Sequence, residues 1–313
     1  MNTSSPLSGE RRLMRGLLLR TLLCLVMAAP ALALAAGALD KARETGKLSF
    51  GYRTDTRPFA YTDDAGKPAG FSVVLCQNVA DSIKTDLKLP SLAIDFVPVT
   101  ASDRFTALSQ GKIDLLCGTS TPTMERRATF DFSIPIFYAQ LGALVRTDTP
   151  RRLHDALADR PDVSQPVWRA APAVLLSKVV FAVVGGTTVE RSLIDALAQR
   201  RIEVSVVTVA DYATGAQMVL DGKVAALFGD RPVLVEAAKS ASSNGRLMLI
   251  QRNFGREPLS LAMRRGDDAF RLAIDRSLSH LYRSELFGTL FTRYFGAPES
   301  GALDFFRAIA LPE

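Results

Sequence analysis

Short apolar runs alternate with amphipathic segments along most of this chain. Lys47 to Tyr52 reads as a strand. Phe71 to Lys84 reads as a helix, because Phe71, Leu75, Val79 and Ile83 recur four apart and so share one face. Ile94–Val99 predicts a strand, Arg104–Gln110 a short helix stopped by Gly111, and Ile113–Cys117 a further strand. This strand–helix–strand rhythm predicts an α/β fold.

The rhythm has an internal echo. Val99-Thr100, then Asp103, a helix and Gly111-Lys112-Ile113 lead to Cys117-Gly118. Later Val207-Thr208, then Asp211, a helix and Gly222-Lys223-Val224 lead to Phe228-Gly229, with the same spacing from Gly-Lys to the closing Gly. The second helix is longer by nearly one turn. Two similar α/β units predict two lobes, with chance likeness of common αβ turns as the alternative. Residues 150–178 break the rhythm: Pro150, Pro161, Pro166 and Pro172 punctuate a stretch that holds Trp168. Helix is expected at Arg152–Ala158 and Ala170–Lys178, loop elsewhere. The tail from Pro298 on is expected to be loosely attached.

The N-terminus reads as a sorting signal rather than part of the fold. Arg11, Arg12, Arg15 and Arg20 form a basic region, Leu22–Ala36 carries no charge, and Ala33-Leu34-Ala35 fits a small-x-small cleavage site. The apolar run is short for a membrane span, which needs about 20 residues. Arg11-Arg12 leaves open the general and the twin-arginine export routes. Cys24 follows Leu22-Leu23 rather than a small residue, which argues against a lipid anchor. Four of the 38 basic and one of the 32 acidic residues lie in this segment, so the mature chain carries a charge of about +3. That excess does not point to nucleic acid, and no basic run interleaved with aromatics supports one. Cys76 and Cys117 remain. Export would place them in an oxidising space, where a disulfide between the helix and the strand beside it is expected; two separate buried thiols are the alternative.

Two helix starts draw attention. In Gly118-Thr119-Ser120-Thr121-Pro122, Thr121 suits an N-cap and Pro122 the first helical position. In Gly185-Gly186-Thr187-Thr188, the glycines allow a sharp turn and a threonine caps the next helix. Free N–H groups at such ends attract anions, although ordinary capping explains either one alone. His154 and His280 are the only histidines, so a metal cluster or a histidine-based triad is hard to build. No GxSxG, phosphate loop or dinucleotide fingerprint occurs. These absences favour a binder, with no metal and no cofactor, over a hydrolase or oxidoreductase.

Further motifs carry a resemblance. Gly51-Tyr52-Arg53, Pro58-Phe59-Ala60-Tyr61, Gly70-Phe71-Ser72, Arg104 with Gly111-Lys112-Ile113-Asp114, Cys117-Gly118-Thr119-Ser120-Thr121 with Glu125-Arg126-Arg127, Asp131-Phe132-Ser133, Pro135, Gly186-Thr187-Thr188 and Asp230 occur in this order. From Lys47 to Phe295 the chain resembles the family 3 periplasmic solute-binding proteins, the amino-acid receptors of ABC importers. Among them it looks most like glutamate/aspartate binders. The resemblance implies a periplasmic type II binding fold: two α/β lobes joined by a two-strand hinge. Residues 1–35 would be the signal peptide. Residues 36–145 and 259–313 would form lobe 1 and a tail. Residues 146–258 would form lobe 2, with the extended segment 150–178 on its outside.

It also implies a free amino acid as ligand, captured by lobe closure, importer membrane subunits as partners, and a monomer. By matching position, Arg126 would grip the α-carboxylate and Asp230 the α-ammonium. Thr119, Thr121 and Thr188 would add hydroxyl or backbone contacts. Arg53 and Arg104 would face a side-chain carboxylate, unless they turn to solvent or pair with Asp55 or Asp103. Two departures bear on the ligand: Tyr212 stands where such binders often carry a histidine, and Ala101 where they carry a serine. An enzyme on the same scaffold, such as a cyclohexadienyl dehydratase, and a ligand-sensing module for a membrane receptor are the rival readings.

Overall fold

The computed structural model describes residues 37–158, 179–241 and 244–312. The expected signal peptide, Trp168 and the helix expected at Ala170–Lys178 lie outside the described residues. The chain begins with α1 (Ala38–Thr45) and β1 (Lys47–Arg53), then a small sheet of β2 (Asp55–Thr56), β3 (Ala60–Thr62) and β4 (Pro68–Ala69). Next come α2 (Phe71–Leu87), β5 (Ala93–Val99), α3 (Arg104–Ser109), β6 (Leu115–Ser120), the one-turn α4 (Met124–Arg127), β7 (Phe130–Phe132) and β8 (Phe137–Arg146). A second series follows: α5 (Arg151–Ala158), β9 (Val180–Val184), α6 (Thr188–Gln199), β10 (Ser205–Val209), α7 (Tyr212–Leu220), β11 (Ala226–Asp230), α8 (Arg231–Ser240) and β12 (Leu247–Leu249). The chain then runs through β13 (Arg256–Arg264), α9 (Asp268–Arg283), α10 (Glu285–Phe295) and α11 (Ala302–Ile309).

The main sheet is ordered β10-β9-β11-β8-β13-β6-β1-β5. It divides at β8 and β13, which are long enough to serve both halves. Phe137–Gln140 of β8 pairs antiparallel with Arg256–Leu259 of β13. Beyond this crossing, β8 continues beside β11 through Leu141–Leu144, and β13 continues beside β6 and β7. Each half therefore owns a parallel core, β5-β1-β6 on one side and β10-β9-β11 on the other, and the halves form two α/β lobes joined by two crossing strands. Burial explains the strands' composition. Parallel strands carry helices on both faces, and β11 is buried at every position.

The four-residue spacing in α2 does what its period demands: Phe71, Leu75, Val79 and Ile83 are all in the core. Cys76 of α2 and Cys117 of β6 are joined as a disulfide, which ties that helix to the sheet. Several of the family-type motif residues prove structural. Asp114 is fully buried and accepts from Lys41 Nζ at 2.7 Å and from the Ser49 amide at 2.9 Å. Ser133 Oγ accepts from the Leu261 amide at 3.0 Å, and the Tyr282 hydroxyl donates to Pro135 O at 2.8 Å.

The C-terminal tail departs from expectation. Residues after Pro298 form α11, whose Phe306 is buried against Tyr282, Phe287 and Phe291 at ring distances of 5.2, 4.7 and 6.0 Å. Arg283 donates to Ala310 O, and the Leu311 amide donates to Ser279 Oγ. An amphipathic stretch of eight residues finds an apolar face to cover, and that contact outweighs the end's usual tendency to fray.

Candidate functional site

The carboxyl ends of the parallel strands meet across the cleft between the lobes, where α/β sheets place their ligands. β1 ends in Arg53, and the turn after β5 delivers Arg104 at the start of α3. β6 leads through Thr119 to Thr121. From the other lobe, β9 leads through Gly185-Gly186-Thr187 to Thr188, the turn after β10 delivers Tyr212, and β11 ends in Asp230. Arg53, Arg104, Thr119, Thr121, Arg126, Thr188, Tyr212 and Asp230 thus line one cavity, together with Thr187 and Val189. It is nearly closed, with about 20 Å³ of free space, room for roughly one water.

The lobes touch through polar groups. Arg104 Nη2 donates to the Gly186 carbonyl at 3.0 Å, and Arg126 Nη2 reaches the same oxygen at 3.5 Å. Gly186 has φ +73°, and a Cβ there would stand 3.2 Å from the Ala101 carbonyl, so glycine permits both the turn and the approach. Thr121 Oγ1 and Thr188 Oγ1 lie 3.3 Å apart, and each donates to Glu257 Oε2 at 2.6 Å. Glu125 and Arg191 form an exposed ion pair at the rim, 2.9 Å long.

Three arginines share this small space, and each is handled differently. Arg53 is buried, and its Nε donates to Asp55 Oδ1 at 2.8 Å and its Nη2 to Asp55 Oδ2 at 2.5 Å; its guanidinium also lies over the Tyr212 ring, 5.8 Å from the centroid. Arg126 donates Nη1 to the Thr121 carbonyl at 3.1 Å. Arg104 is 3% exposed, yet its Nε and Nη1 have no hydrogen-bond partner among the described residues. The guanidinium carbons of Arg104 and Arg126 each lie 4.7 Å from the centroid of the Phe105 ring.

Crowding and burial shift the ionisation of these groups. Burial, then the charges of Arg53 and Arg126, press Arg104 down to about 9, so it stays charged at neutral pH. Burial also lowers Arg126, opposed by the carboxylate of Glu257. Burial first and Glu257 second lift Asp230 to about 7, with Arg53 pulling it back. Asp230 Oδ1 has no hydrogen-bond partner among the described residues. Burial and the Asp230 charge raise the Tyr212 hydroxyl; its ring packs where a Cβ on Gly229 would stand, 2.5 Å from a ring carbon.

The structure corrects two local expectations. Thr121 is not an N-cap: the backbone stays extended through Pro122, and Thr123 caps α4 by accepting from the Arg126 amide at 3.1 Å. The Thr121 hydroxyl is thereby free to cross the cleft. The helix after it is a single turn, so of the two helix starts singled out from the sequence α6, capped by Thr187, is the one of useful length. Arg53 lines the cavity and takes the alternative left open by the sequence, a pair with Asp55. Glu257 was not singled out from the sequence at all. The only signal was an acidic residue at the head of the long strand Arg256–Arg264, and nothing in spacing brings it to Thr121 or Thr188.

Among the described residues no group of His, Cys, Asp and Glu is arranged to hold a metal, and no helix is long and apolar enough to cross a membrane. Residues 48–297 match the profile of the bacterial extracellular solute-binding proteins, family 3. The chain belongs to that family.

Its relatives carry corresponding names. An L-glutamate/L-aspartate-binding protein of Pseudomonas aeruginosa is 26% identical over 84% of this chain and 81% of its own length. A glutamate/glutamine/aspartate/asparagine-binding protein of Rhodobacter capsulatus is 26% identical over 82% of this chain and 70% of its own. Among solved structures, an ancestral amino acid-binding protein described as a precursor of cyclohexadienyl dehydratase superposes with a TM-score of 0.65 at 26% identity, covering 82% of this chain and 99% of that one. The family 3 protein described here is accordingly a solute-binding protein of the bacterial extracellular kind.

Proposed function

We propose that this binding protein captures a free acidic amino acid, L-glutamate or L-aspartate, and hands it to the membrane subunits of an ABC importer. The reading assigns Arg126 to the α-carboxylate, with Thr119, Thr121 and Thr188 adding hydroxyl or backbone contacts. Asp230 takes the α-ammonium, and Arg104 takes the side-chain carboxylate. Tyr212 and the Arg53–Asp55 pair form the wall behind that carboxylate. Lobe 1 comprises residues 36–145 and 259–313, lobe 2 residues 146–258, and residues 1–35 are an export signal removed before the protein acts as a monomer.

One observation carries the acidic ligand: Arg104 is buried with Nε and Nη1 unpartnered. Buried guanidinium N–H groups without an acceptor are costly, and a ligand carboxylate supplies the charged acceptor that such N–H groups favour. The pairing of Arg53 with Asp55 supports a second reading, a neutral amide such as glutamine, because it leaves one free cation rather than two. Calorimetry of Arg104→Ala against glutamate, aspartate, glutamine and asparagine separates them. The acids are expected to lose at least a hundredfold in affinity and the amides far less. Equal losses, or wild-type binding of the amides alone, would assign the protein to the second reading.

A further inference from the structure

The Thr121 and Thr188 hydroxyls that the proposed function gives to the ligand are already engaged. Both donate to a single oxygen of Glu257, at 2.6 Å each, from opposite sides of the cleft. Thr188 is the first residue of α6, so this carboxylate lies at a helix start, and it acts electrostatically on Arg126. Two hydroxyls, a helix N-terminus and an arginine are the set that would receive an amino acid's α-carboxylate.

We infer that Glu257 is an internal stand-in for the ligand's α-carboxylate: it holds the empty cleft shut and has to swing out before an amino acid can bind. This rests on the amino-acid reading of the site. Two further observations support it. Glu257 is half-buried and also lines the open outer chamber of the cleft, alongside Thr123, Arg126 and Thr188, so a way out exists. Charge supports it too. Arg53, Arg104 and Arg126 share the cleft region with Asp55, Asp230 and Glu257. Displacing Glu257 removes one negative charge from that set, which favours an anionic ligand. Because a resident carboxylate holds the cradle, a ligand that brings no α-carboxylate cannot replace what it removes. Glu257 is thus a built-in competitor of the ligand.

The test uses Glu257→Gln and Glu257→Ala in the full mature protein, with thermal melts to establish folding. In the ligand-free state, amide hydrogen exchange at Thr188–Glu190 is expected to accelerate at least tenfold in Glu257→Ala, because the clasp across the cleft is gone. L-glutamate and L-glutamine are expected to bind at least tenfold more tightly to the alanine variant, because no resident carboxylate has to be displaced first. Unchanged exchange, or weaker binding of both amino acids, would overturn the inference. The acidic-ligand reading fails separately, if the wild type prefers glutamine; tighter binding of glutamine to Glu257→Ala would still uphold the stand-in. If no amino acid binds any variant, the exchange rates alone decide the matter.

Discussion

Thr121 and Thr188 face each other hydroxyl to hydroxyl at 3.3 Å, although 67 residues and a lobe boundary separate them. Their shared acceptor is Glu257. On the proposed assignment the same hydroxyl serves Glu257 and the ligand in turn, so its worth to binding is partly hidden. Thr188→Val is expected to cost less than tenfold in L-glutamate affinity in the native background. In Glu257→Ala it is expected to cost about tenfold or more, since a hydrogen bond to a charged group contributes roughly 1.5–3 kcal/mol. A double-mutant cycle by calorimetry measures the difference; identical losses in both backgrounds would refute the shared role.

With Asp230 as the proposed partner of the α-ammonium, binding is expected to depend on pH. Its carboxyl titrates near 7 in the empty protein, because burial and Glu257 disfavour its charge. An ammonium partner requires the ionised form. Affinity is therefore expected to hold above pH 7 and to fall by up to about tenfold per unit below it, with about one proton released on binding at pH 6. Calorimetry in buffers of different ionisation enthalpy reads that proton, and Asp230→Asn is expected to bind weakly with a flat profile. The same raised value means that this group's contribution to the stability of the empty protein declines as pH rises from about 4 to 7 and is constant above.

Arg104 illustrates a cost accepted for function. Its charge is buried, pushed down to about 9, and left with unpartnered N–H groups when the cleft is empty. Arg104→Met removes the charge and keeps much of the volume. The empty variant is expected to melt at the same temperature as the wild type or a few degrees higher, as when buried ions give way to apolar residues, while binding of L-glutamate is lost. A fall in melting temperature of more than about 5 °C would show that Arg104 is needed for folding.

The disulfide between Cys76 and Cys117 closes a separation of 41 residues, linking α2 to β6 directly behind the cleft. The chain-entropy account assigns a loop of that size about 4 kcal/mol. Urea unfolding of Cys76→Ser/Cys117→Ser is expected to show a loss of roughly that size. A loss below about 1 kcal/mol would indicate that packing alone secures the helix.

How far the sequence reaches can be judged residue by residue. The period of Phe71, Leu75, Val79 and Ile83, the strand–helix rhythm and the Gly-Lys echo depend on local backbone geometry, so the α/β class and the two-lobe plan were legible without a structure. The candidate site residues came from the family resemblance of their motifs, and they gather at one cavity because the carboxyl ends of parallel strands converge in such a sheet. Partner choice was not legible. That Arg53 is matched by Asp55 while Arg104 is left open depends on side-chain directions within a few ångströms, which no spacing encodes. Glu257 reaches Thr121 across 136 positions only because two crossing strands bring the lobes together. The tail misled for the same reason: whether α11 frays or docks depends on an apolar face built by α9 and α10, and only the tertiary structure supplies that face.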